Sequence, residues 1–189
     1  MEALLWVPLA LAAMVVMAAV SAFNRLARLR HRAANARQQV EVQLARRHDL
    51  VPNLVEVVKG AMAHERETLQ ALAAARQEAI AALQAGAASR TSATAEGRLS
   101  SLLGNVISFV ETQPDLKALG NVRVLQEELS STENRIAFAR QHYNDAVLAY
   151  NTALSTVPSV FIASTFAFQP DTLYEVSDVR EREPVTVSF

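Results

Sequence analysis

Apolar positions along this chain follow two regimes. From Ala3 to Phe23 no residue is charged and Ser21 carries the only hydroxyl, whereas from Asn24 onward apolar residues recur at every third or fourth position. The first regime has no polar face. About 21 residues at about 1.5 Å each give roughly 31 Å, the thickness of a bilayer's hydrocarbon core, so this stretch predicts a membrane-spanning helix. The competing reading is a cleaved secretory signal with Val20, Ser21 and Ala22 at the cleavage site. Such a signal carries a basic n-region and a shorter apolar core, and Met1 and Glu2 supply no basic residue.

In the second regime, Leu26, Leu29, Ala33, Ala36, Val40 and Leu44 mark one face of a helix over about 25–48. His48 to Pro52 interrupts it: proline disfavours helical geometry at the preceding residue and Asp49 is a good N-cap, which predicts a tight turn. A second helix follows over about 53–84, with Leu54, Val58, Met62, Leu69, Leu72, Ala75 and Ala79 on its stripe and Glu65 as the one intruder. Gly86 to Thr94 reads as a loop. A third helix over about 95–111 carries Leu99, Leu103, Val106 and Val110. The fourth, over about 122–155, keeps steps of three or four from Val122 through Leu129, Thr132, Ile136, Tyr143, Val147 and Tyr150 to Leu154. Val157 and Pro158 end it. Residues 159–168 are apolar and aromatic without a clear period, and residues 169–189 read as a mobile acidic tail. The expected fold is all-α, an N-terminal transmembrane helix (1–24) followed by a long antiparallel four-helix bundle (25–168).

Composition sharpens this. All 18 basic residues and all but one of the 19 acidic residues lie beyond the span. That balance argues against nucleic acid as a partner, since phosphate binding needs a basic excess. With no cysteine there is no disulfide framework, thiolate metal site or cysteine nucleophile. Arg25, Arg28, Arg30, Arg32 and Arg37 follow the span within the window over which basic residues hold a flank in the cytoplasm. The body is therefore expected to be cytoplasmic and the N-terminus outside. The same arginines are either a solvated face or a contact for anionic headgroups.

No catalytic, cofactor or metal signature emerges. None of His31, His48, His64 and His142 has a glutamate three residues before it, which excludes the Glu-x-x-His pair of di-iron bundles. His64 and Glu65 open like a zincin motif, but Thr68 stands where the second histidine belongs. More suggestive are Tyr143-Asn144 and Tyr150-Asn151, one heptad apart, with Asn35, Asp49, Asn53 and Asn134 beside other apolar stripes. Buried amides either fix helix register or line a polar groove for a partner helix.

The run from Asn35 to Glu65, NARQQVEVQLARRHDLVPNLVEVVKGAMAHE, together with TENRIAFARQHYNDAVLAYN (Thr132 to Asn151), resembles the LemA family of bacterial proteins through the motif QLxRRxDLxPNLVxxVKG. Arg37, Ala61 and Ala167 stand where aromatic residues or the glycine of an FGF triplet are usual. The resemblance implies a single N-terminal span, a cytoplasmic helical bundle at the bacterial inner membrane, and no assigned biochemical activity. The expected function is a non-catalytic scaffold or adaptor with a protein partner or self-association. The alternative, prompted by the family's habit of being encoded beside such enzymes, is an accessory subunit of a membrane enzyme such as a protease. Counting antiparallel helices brings Phe161, Phe166 and Phe168 to the membrane-proximal end beside Arg25, Arg28, Arg30 and Arg32. There they either cap the bundle or contact a membrane or partner.

Overall fold

The computed structural model describes residues 2–62 and 65–174. Its helices are α1 (Glu2–Val58), α2 (Arg66–Ala85), α3 (Arg90–Thr112), α4 (Pro114–Lys117), α5 (Gly120–Ser155) and α6 (Ser159–Thr165). No strand occurs among the described residues, and the expected all-α fold with an apolar N-terminal helix is the one adopted. Two compact units form: one holds the chain up to Ala36 with Gln141–Leu173, the other Arg37–Arg140 with Tyr174. Both α1 and α5 contribute to each.

In the first unit residues 6–18 of α1 are exposed throughout. Trp6, Met14 and Met17 are each 64–67% exposed, and only 6% of the helix's most apolar window is buried. Side chains apolar in every direction with no partner are those of a helix solvated by lipid. Further along, Leu26 is fully buried with Ala153 of α5 and Ala163 of α6.

The second unit is a four-helix bundle made of residues 37–58 of α1, α2, α3 and residues 120–140 of α5. Each contributes about 20 residues, or roughly 30 Å. Its core joins Val51, Leu54 and Val58 to Leu72, Ala75 and Ala79 of α2, to Leu99, Leu103 and Val106 of α3, and to Val122 and Leu129 of α5. Arg76 reaches back to His48 and Arg98 to Glu78, cross-links symmetric about the intervening turns, which makes neighbouring helices antiparallel. Gly86, with φ 146°, supplies a backbone conformation that side-chain-bearing residues avoid, and its N–H closes α2 on Ala82 and Leu83 carbonyls.

The helix boundaries depart from the expected ones in several places, among them the short α4 between the expected third and fourth helices. The turn expected at His48–Pro52 is absent: α1 runs on to Val58, and the turn begins at residues 59–62 instead. Pro52 lacks the N–H that would satisfy the His48 carbonyl four residues earlier. The Arg76 guanidinium takes that role, donating from Nε to His48 O at 2.6 Å. A cross-helix donor thus cancels one of the two costs of a proline inside a helix. This also shortens the second helix to Arg66–Ala85, and Glu65 lies ahead of it, accepting from the Thr68 hydroxyl at 3.2 Å. The expected 86–94 loop is shorter too: the Ser89 hydroxyl accepts from the Ser92 N–H at 3.1 Å, an N-cap that starts α3 at Arg90. Finally, residues 159–165, for which no helical period was evident, form α6.

Candidate functional site

Two polar constellations stand out, one in each unit. In the bundle, Arg47 of α1 is 1% exposed. Its guanidinium pairs with Glu96 of α3, and donates at 2.7 Å to both Ser100 and Glu133. The His48 ring nitrogen Nε2 lies 2.8 Å from the other Glu96 oxygen. Since a carboxylate only accepts, that nitrogen carries the proton. Burial pushes the Glu96 carboxyl up, but the His48 hydrogen bond and the Arg47 charge outweigh it and hold the group below its ordinary range. Arg47, Ser100 and Glu133 also border an open groove of about 890 Å³ between α3 and α5, with Glu111, Arg123 and Glu127 along it. Among the described residues no group of three or more His, Asp or Glu is placed to hold a metal ion.

The second constellation holds the two Tyr-Asn pairs. Tyr143, Tyr150 and Asn151 hold the chain's own extended segment beyond α6. Tyr143 donates to the Thr172 carbonyl at 2.7 Å and Tyr150 to the Gln169 carbonyl at 2.9 Å. The Asn151 amide reads both sides of Asp171, donating to its carbonyl at 2.8 Å and accepting from its N–H at 3.0 Å. Asn144 is half-buried beside them. Every one of these bonds ends on main chain. The start of the region expected to be a mobile tail is therefore fixed; residues 175–189 lie outside the described residues. Within the bundle unit, Tyr174 is 3% exposed, with the Arg140 guanidinium 4.6 Å from its ring centre.

The other candidate residues are not brought into either constellation. Asn35, Asp49 and Asn53 are exposed on α1, and so are Arg25, Arg28, Arg30 and Arg32. Phe161 and Phe166 are exposed and Phe168 is half-buried. His64 lies outside the described residues. Arg47, His48 and Glu96 were missed as a site, yet a signal existed. The α1 stripe, continued past Leu44 in steps of three or four, passes through Arg47 and His48 before Val51 and Leu54, and the α3 stripe passes through Glu96 before Leu99.

An apolar, exposed N-terminal helix ahead of a bundle stapled by buried polar networks defines a membrane-associated helical-bundle protein. Residues 36–189 match the LemA family, and the chain belongs to that family. It is similar to the magnetosome protein MamQ of Magnetospirillum gryphiswaldense, at 23% identity over 169 residues. The match covers 78% of this chain and 62% of that relative's length.

Proposed function

We propose that this chain is a membrane-anchored helical scaffold or adaptor that recruits a protein or stabilises an assembly at the inner membrane, without chemistry of its own. The observation that carries the reading is the continuity of α1: the same helix that exposes Trp6 to lipid supplies Leu44, Val51 and Leu54 to the bundle core, with no linker between. Arg25, Arg28, Arg30, Arg32 and Arg37 follow the span, so the bundle lies in the cytoplasm. The likeness to a magnetosome protein adds weight to a role at a membrane.

Proximity labelling in living cells followed by purification from detergent tests the reading. Several partners, or self-association, are expected; one enzyme recovered in fixed ratio would instead make the chain an accessory subunit. A reporter active only in the periplasm, fused after Phe189, is expected to stay silent.

A further inference from the structure

The unit that holds the apolar helix also carries an aromatic corner. Phe23 closes the apolar run, and the rings of Phe166 and Phe168 meet it edge-on with centres 5.0 and 5.6 Å away. Ala163 of α6 packs in one cluster with Leu26 and Ala153. That contact sets the depth of α6. Leu26 is three residues past Phe23, about 4.5 Å along the helix, inside the headgroup layer of about 5–7 Å that flanks each side of the hydrocarbon core.

α6 turns 91° away from α5 and buries only Ser159 and Ala163. Large apolar side chains on and around it are bare: Val157 just ahead of α6 is 76% exposed, Phe161 within it 65% and Phe166 just after it 58%. Large exposed apolar side chains on and beside an element held at headgroup depth match the interfacial zone, where aromatic residues concentrate. Exposed Arg25 and Arg28 lie within two turns of Phe23 and supply cations for lipid phosphates.

We propose that α6 and the Val157–Pro158 corner form a second membrane contact, on which Val157, Phe161 and Phe166 enter the headgroup–acyl boundary of the bilayer that α1 crosses. The occupant is lipid because the exposed apolar surface is continuous with the lipid-facing helix, from Val20 through Phe23 onto Phe166. A face this small would bind a bilayer weakly alone. Held beside a span, it meets lipid at high effective concentration and needs little affinity. The contact fixes the tilt and rotation of the anchor, which a single span leaves free.

This rests on α1 crossing a bilayer, and the test separates the two ideas. The full chain is reconstituted into phosphatidylcholine vesicles containing a minor share of phosphatidylglycerol, with lipids that carry a quencher at a shallow or a deep position. Trp6, the sole tryptophan, reports on the span. In a Trp6→Phe background, Phe161→Trp reports on α6, and Leu148→Trp reports on a site of α5 that is 60% exposed. Position 148 lies five residues before Ala153, about 7 Å farther from the bilayer. The expected result is blue-shifted emission at 161, quenched best by the shallow label and several-fold more than at 148; Phe166→Trp repeats the reading if position 161 perturbs folding. Solvent-like emission at 161, a blue shift without lipid quenching (a protein cover), or equal quenching at 161 and 148 would overturn the proposal. Absence of quenching at Trp6 itself would instead remove the span on which it rests.

Discussion

The two polar constellations are held by opposite means. Around Arg47 the bonds run side chain to side chain, from α1 to α3 and α5, so the identity of each residue is part of the fit. Around Asn151 they run from side chain to main chain, and the gripped segment keeps Gln169 and Thr172 exposed. The first device specifies which helices pack. The second holds an irregular segment through its main chain.

The largest expected effect concerns the buried pair. Glu96→Leu removes the buried carboxylate from Arg47, leaving it only the half-exposed Glu133, and strands the His48 donor; it is expected to cost about 3 kcal/mol, read by urea unfolding of the full chain in detergent. Adding Arg47→Met should recover most of that loss. A single-variant loss well under 1 kcal/mol on the order of a surface pair would erase the distinction between the two constellations.

The same contrast sets opposite pH limits. Glu96 is held below its ordinary value of 4.5, so its contribution is present above that value and is lost as pH falls through the lower folded one. The Tyr150 hydroxyl is pushed up from 10.0 by burial, opposed by Arg30 and reinforced by Asp171. Its contribution is complete below 10.0 and is lost as pH rises through the folded value, when the phenol can no longer donate to Gln169. Hydrogen exchange is expected to show the bundle loosening first in acid and residues 169–172 first in alkali, with Glu96→Gln weakening the acid dependence.

A smaller effect belongs to Arg76. Arg76→Met orphans the His48 carbonyl and is expected to cost about 1–3 kcal/mol. In a Pro52→Ala background the helix supplies its own donor, so the same change should cost clearly less in a double-mutant cycle. Equal losses in both backgrounds would detach Arg76 from the proline.

Smallest are the changes in the gripped segment. Asn151→Leu removes two main-chain bonds and should raise exchange at residues 169–172, at about 1–2 kcal/mol, with bundle amides unchanged. Thr172→Ala, which keeps the carbonyl that Tyr143 reads, should stay within about 0.5 kcal/mol. A larger loss for Thr172→Ala than for Asn151→Leu would mean that sequence, not main chain, is recognised.

Periodicity alone determined the apolar N-terminal helix and the packing faces. A run apolar in every direction needs an apolar surround on all sides, and the apolar stripes of α3 and α5 became buried or half-buried faces because helical spacing fixes direction locally. Tertiary structure decided what depends on atoms distant in the chain. Pro52 is tolerated inside α1 because Arg76, on another helix, reaches the carbonyl the proline orphans. Arg47 turns inward because Glu96 and Glu133 wait there with compensating charge, without which burial of a guanidinium is prohibitive. The Tyr-Asn pairs announced a polar function at a helical face, but their ligand is an extended main-chain segment some 20–30 residues later, and main-chain groups, being common to all residues, leave no mark in a sequence.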